Sequence, residues 1–281
     1  LVNTQQPPIN VAIDLPAFSP NGDGRKDSLT ISSSVPVRTG LVAWKLSILD
    51  KDKVSRWSLG GSDPAALPTL QVYEGKTSQG QGPPEGQYQA ELEVTYSNGH
   101  HPKVLSPVFT VDLTPPSGTV KADRTAFNPA GSEGQNIVNL SQTGSREESW
   151  TGELFVAGAA PGQVAGQAVR TWTSSGTPET KIEWDGADDQ GKPLPDGSYV
   201  YRISSTDKAG NLFQAAPVQI SLDTQKKGVR LSADPRAFSP NGDGQKDALR
   251  LTDSVLAKDK LTSYVLEILG AEAPGTVVRT W

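Results

Sequence analysis

Asn21, Asp23 and Asp27 stand at relative positions 1, 3 and 7 of a short stretch, with Gly22 and Gly24 between them. Asn241, Asp243 and Asp247 repeat that arrangement. Both sets belong to the string Phe-Ser-Pro-Asn-Gly-Asp-Gly, found at Phe18 to Gly24 and again at Phe238 to Gly244. Oxygen donors on a glycine-loosened loop suit Ca²⁺, which takes about 6–8 hard oxygen ligands in irregular geometry. These six residues are therefore the candidate Ca²⁺ ligands. The pattern shares an Asn-x-Asp-Gly core with EF-hand loops but lacks their leading Asp and closing Glu; Leu29 and Leu249 begin a strand instead. The alternative is an Asx-turn that positions this strand, with Asp27 capping backbone N–H groups. Asp14, Asp123 and Asp234 each precede the loop Phe by four residues, and Asp123 persists in a copy that has lost the other acids. These upstream acids are read as structural.

Other residues offer less chemistry. His100 and His101 are adjacent, so on a strand they would face opposite ways, and the preceding Asn98-Gly99 predicts a loop tip. Asp185, Asp188 and Asp189 are read as turn residues rather than as paired carboxylates for glycoside hydrolysis. Trp44, Trp57, Trp172, Trp184 and Trp281 recur at repeat-equivalent positions and are expected in cores rather than on a sugar-stacking face. Trp150 has no such counterpart and is expected to be an exposed contact.

The loops mark a tandem array. A decayed copy, Phe127 to Gly134, lies between the other two, so the anchoring Phe residues are 109 and then 111 positions apart. Tyr73-Glu74-Gly75, Gly86-Gln87-Tyr88 and Asp112 reappear 111 residues on as Trp184-Asp185-Gly186, Gly197-Ser198-Tyr199 and Asp223. A period of this size fits a whole domain rather than a solenoid unit. The expected domains are 8–114, 118–223 and 228–281, the last matching only the first half of the others. Proline-stiffened Asp112 to Gly118 is the first linker. The half repeat is not expected to stand as an independent domain.

Strands are predicted by period two: Trp44, Leu46 and Ile48; Leu92, Val94 and Tyr96; Tyr199 to Ile203; and Tyr264, Leu266 and Ile268. Lys181 to Trp184 and the strand from Ser198 read as a hairpin around the acidic turn. About seven short strands per repeat, punctuated by 28 Gly and 22 Pro, predict an all-β chain of tandem immunoglobulin-like β-sandwiches, two complete and one partial. A net charge of −5 without a basic block excludes the electrostatic footprint of nucleic-acid binding. With no Cys there are no disulfides and no thiolate chemistry. No run approaches the 18 or so apolar residues of a transmembrane helix.

Trp184-Asp185-Gly186-x-Asp188, Gly191, Pro195 and Gly197-x-Tyr199-x-Tyr201, followed by Asp207-Lys208-Ala209-Gly210-Asn211, resemble the FlgD Ig-like family. The Phe-Ser-Pro-Asn-Gly-Asp-Gly segments are similar to the opening of the gliding-motility-associated C-terminal module, a sorting domain of bacterial surface proteins. Repeat one departs from the first pattern, with Tyr73-Glu74-Gly75-Lys76 in place of the acidic turn. The resemblance implies a sandwich in a periplasmic, cell-surface or secreted setting. It also implies a non-enzymatic structural, adhesive or assembly role, with an envelope or extracellular protein or glycan as partner. Accessory domains of a larger secreted hydrolase, or a secretion-sorting module, are the alternatives.

Overall fold

The computed structural model describes residues 5–131, 136–225, 228–255, 263–270 and 275–281. Apart from a 3₁₀ turn at Pro64–Ala66, every regular element among them is a strand. Repeat one opens with β1 (Asn10–Ile13), β2 (Ala17–Phe18), β3 (Leu29–Ser34), β4 (Leu41–Asp50) and β5 (Ser55–Gly61). It continues with β6 (Leu70–Tyr73), β7 (Gly86–Tyr96), β8 (Lys103–Leu105) and β9 (Phe109–Val111). One sheet has the order β1-β3-β6; the other has β2-β9-β7-β4-β5, with β8 also on β7. All pairs are antiparallel except β2 with β9.

Repeat two copies this plan. Its strands are β10 (Gly118–Ala122), β11 (Ala126–Phe127), β12 (Val138–Gly144), β13 (Glu147–Ala157) and β14 (Val164–Gly176). They are followed by β15 (Lys181–Trp184), β16 (Gly197–Thr206), β17 (Leu212–Gln214) and β18 (Val218–Leu222). The sheets are β10-β12-β15 and β11-β18-β16-β13-β14, with β17 on β16. The strands around Lys181 and Ser198 are therefore not a hairpin: β15 pairs with β12 in one sheet, whereas β16 pairs with β13 and β18 in the other. The acidic turn is the crossover between sheets. Inside it Ala187 bridges Pro193, and Asp188 N–H donates to the Lys192 carbonyl at 2.9 Å.

Alternation decides which side chains form the core. Along β7, Tyr88, Ala90, Leu92, Val94 and Tyr96 are all buried, and the residues between them are half-exposed. Burying a large apolar side chain of this kind stabilises by about 1.5–3 kcal/mol. The anchoring Phe is the shared keystone. Phe18 packs edge-on to Tyr73 at 5.9 Å, and Phe127 packs likewise against the repeat-equivalent Trp184 at 5.1 Å. The Tyr88 hydroxyl donates to the Pro84 carbonyl at 2.7 Å, and the Tyr199 hydroxyl to the Pro195 carbonyl at 2.6 Å. Each of these bonds reaches back four residues at a sheet crossover, as the tyrosine corner of immunoglobulin sandwiches does.

Trp150 is buried, contrary to its reading as an exposed contact: it is 2 % exposed, and its Nε1 donates to the Ser145 carbonyl at 3.0 Å. Gly118 and Gly144 are register partners in the opposite sheet, and a Cβ on either would lie within 3.0 Å of the indole. Two glycines make the room that this large side chain fills. Trp44 and Trp184 are buried, and Trp57 and Trp172 pack at the core margins, as expected. Trp281 is the exception, being 53 % exposed, with Arg279 over its ring.

One compact unit comprises Leu1–Phe127 and Ile137–Leu222, with the strands of both sandwiches; the other comprises Asn128–Asn136 and Asp223–Trp281, with the third repeat. Among its described residues, β19 (Val229–Asp234) pairs with β20 (Arg250–Val255), and β21 (Glu267–Leu269) pairs with β22 (Val277–Thr280). The strand here starts at Arg250, one residue after the expected Leu249. Leu249, Leu251, Leu266 and Ile268 are only half-buried.

Candidate functional site

Each loop is held by its own side chains. In the first, Asp27 accepts from the N–H of Gly22 through Oδ1 at 2.6 Å and from that of Gly24 through Oδ2 at 2.7 Å. Asn21 Oδ1 accepts from Asp23 N–H, and Asp23 Oδ1 from Arg25 N–H. Glycine is required at two points because Gly22 and Gly24 have φ of 82° and 85°, in the left-handed region. The Asn241 to Asp247 loop reproduces the pattern, with Asp247 bridging the N–H groups of Gly242 and Gly244 at 2.9 and 2.7 Å. Its glycine φ values, 82° and 85°, are the same. Bonds from Gln245 N–H and the Asn241 side chain hold the Asp243 carboxyl below its usual range.

The backbone of each loop is capped from within. The concave face of the loop is lined by N–H donors, a nest that attracts negative charge. Asp27 or Asp247 fills it. Among the described residues no group of three or more His, Cys, Asp or Glu side chains is arranged to hold a metal ion. The bonds made by Asn21, Asp23, Asp27, Asn241, Asp243 and Asp247 are those of the capping alternative, and the Ca²⁺ expectation for the same six residues is tested by titration. Millimolar Ca²⁺ separates the two readings: a cation held at the loops raises the melting temperature and Asp23→Ala/Asp243→Ala abolishes the rise, whereas a turn alone leaves it unchanged. The middle copy cannot be compared, because Ser132, Glu133 and Gly134 lie outside the described residues.

The upstream acids do structural work in the first two repeats. Asp14 Oδ1 accepts from Thr30 N–H at 2.8 Å, and Asp123 accepts from both the backbone and side chain of Asn139. Burial alone would raise the Asp123 carboxyl, but the bonds from Asn139 and Arg124 outweigh it and hold the pKa down. Asp185 bonds Arg170 at 2.7 Å, Asp189 accepts from Thr171 N–H, and Asp188 caps Gln190 and Lys192. They serve three separate local anchors. His101 Nδ1 lies 3.2 Å from Thr95 Oγ1 beside the turn that closes at Gly99.

The first loop also reaches into the next domain. Asn21 Nδ2 donates to Asn211 Oδ1 at 3.2 Å, and Lys26 Nζ donates to the Lys208 carbonyl at 2.7 Å. Asn211 is the hub of the contact. Its Nδ2 donates to the Asp112 carbonyl at 2.9 Å and to Asp207 Oδ2 at 2.8 Å, and only 2 % of the residue is exposed. The loop from repeat one, the linker and the Asp207-Lys208-Ala209-Gly210-Asn211 turn of repeat two thus meet at one side chain. Gly210 allows the approach: a Cβ there would lie 3.2 Å from the Arg25 carbonyl and 3.3 Å from Lys26 Cβ. The linker is tied on both sides, since Glu85 Oε1 accepts from Leu113 N–H and the Thr114 hydroxyl, while Ser117 N–H donates to Ser145 Oγ. Burial, then Asp207 and Glu85, raises the Asp112 carboxyl.

In the sequence, residues 207–211 read as a turn and 112–118 as a linker, and neither pattern marks the joint they form. The available signal is Lys26, repeated as Lys246.

Residues 163–209 match the FlgD Ig-like domain family. A search of curated proteins finds no match. Among solved structures, a 1.5-MDa bacterial ice-binding adhesin is similar at 16 % identity and TM-score 0.38, over 83 % of this chain and 70 % of that one. The fibronectin(III)-like modules of Clostridium thermocellum CbhA give 13 % identity and TM-score 0.38, over 77 % and 94 %. Chicken CNTN1 FN1–FN3 domains give 16 % and 0.39, over 80 % and 71 %.

Proposed function

We propose that this chain is a non-enzymatic extracytoplasmic module whose tandem immunoglobulin-like domains act as a spacer in a structural, adhesive or assembly role. The observation that carries this reading is the joint at Asn211. Spacers must transmit position, and a two-domain array does so only when the linker is short and tied to both neighbours. Residues 112–117 meet that requirement by bonding to Glu85 on one side and to Asn211 and Ser145 on the other. No helix among the described residues is long and apolar enough to cross a membrane. The partner at the far end of such a spacer would be an envelope or extracellular protein or glycan.

The joint can be tested by cross-linking, because the chain has no Cys of its own. Lys26 Cβ and a Cβ at Gly210 would be 3.3 Å apart, close to the spacing of a disulfide. Lys26→Cys/Gly210→Cys is expected to oxidise within one molecule and to leave the small-angle X-ray scattering profile unchanged. Failure to form the disulfide, or a scattering curve that contracts when it forms, would count against a fixed joint and against the spacer reading.

A further inference from the structure

The first and third loops share sequence, glycine φ values and internal hydrogen bonds. In the first loop, two side chains, Asn21 and Lys26, are engaged by the next domain. Their counterparts, Asn241 and Lys246, are exposed. We propose that the Asn241 to Asp247 loop is a docking knob for the Asp-x-Ala-Gly-Asn turn of another immunoglobulin-like domain. This rests on the spacer reading above and extends it from one joint to a rule for joining domains. The turn in that partner supplies an Asn side-chain oxygen to Asn241 Nδ2 and a backbone carbonyl to Lys246 Nζ. Its glycine supplies the gap. A loop needs two features for this contact, a rigid backbone and a cation at its sixth position. Residues 241–247 have both: Lys246 has a φ of 54°, against 47° for Lys26.

The sequence distributes the two halves of the contact in a consistent way. The one Asp-x-Ala-Gly-Asn turn lies in the repeat that follows the first intact loop. The equivalent residues of repeat one, Tyr96 to His100, lack both the Asp and the Asn. The partner commitment is therefore specific: a domain with this turn, rather than any Ig-like edge strand.

The partner to use is repeat two itself, residues 115–223, whose strand pairings are internal and whose core is its own. Once separated from repeat one, its turn is free. The 281-residue chain bearing Lys246→Cys is mixed with repeat two bearing Gly210→Cys in a glutathione redox buffer. The control is repeat two bearing Lys192→Cys, at the other end of β16. At least about ten-fold more mixed disulfide is expected with Gly210→Cys than with the control, and Asn241→Ala in the long chain should return it to the control level. Because Gly210 has a φ of 99°, a second measurement uses wild-type repeat two: it should shift the amide resonances of Gly242, Gly244 and Lys246 in the labelled chain. Equal disulfide yields together with unmoved resonances overturn the proposal. If the Lys26/Gly210 pair still closes within one molecule, only this inference falls; if it does not, the spacer reading falls as well.

Discussion

Trp184→Ala is expected to lower the stability of the second sandwich by about 3–5 kcal/mol, because a fully buried aromatic side chain is lost and its cavity is only partly refilled. Trp184 is completely buried, lies 5.1 Å from Phe127 and 5.2 Å from Tyr199, and donates from Nε1 to the Ala187 carbonyl at 3.1 Å. Its removal leaves that carbonyl without its indole donor and breaks the contact between the anchoring Phe and the sheet crossover. The effect should stay in repeat two. The first core, built on Phe18, Tyr73, Tyr88 and Phe109, shares none of these side chains. Hydrogen exchange followed by mass spectrometry should show faster exchange across β12, β13, β15 and β16, with β3, β4 and β7 retaining their protection. Equal loss in both repeats would mean that the two cores unfold as one cooperative block.

Asn211→Asp is expected to destabilise the protein by about 3 kcal/mol at neutral pH, since it removes donated hydrogen bonds and buries a carboxylate among acceptors. The amide nitrogen now donates to the Asp207 carboxylate and to the Asp112 carbonyl, and the new oxygen would repel both. Asn21 Nδ2 can still donate to the remaining oxygen, so the loss is not total. Protonation of the introduced carboxyl restores a donor, so the deficit should shrink as pH falls through the range where that group titrates, which burial beside Asp207 raises. Denaturant melts of the variant and wild type at pH 7 and pH 4.5 would measure it. A deficit independent of pH would place the damage in local packing of the turn rather than in charge. Because Asn211 also meets the linker, the scattering curve of the variant should broaden even where both sandwiches remain folded.

The sequence by itself determined the alternating strands of the two sandwiches, the repeat and the glycine positions of the loops. Those features depend on short-range rules: alternation along β7 places every second residue in the core, and glycine between Asn and Asp residues permits the φ values that let Asp27 cap two N–H groups. The sandwich followed from the same pattern. Tertiary structure alone decided three things. It placed β15 and β16 in different sheets, because the pairing partner of a strand is chosen by contacts distant along the chain, so an apparent hairpin became a crossover. It buried Trp150, because the space for that ring comes from Gly118 and Gly144 on register-paired strands of the opposite sheet. Lack of a repeat-equivalent Trp says nothing about such a pocket. And it turned Asn211 from a turn residue into the hub of a joint, since Asn21 lies 190 positions away along the chain and meets it only once both domains are folded.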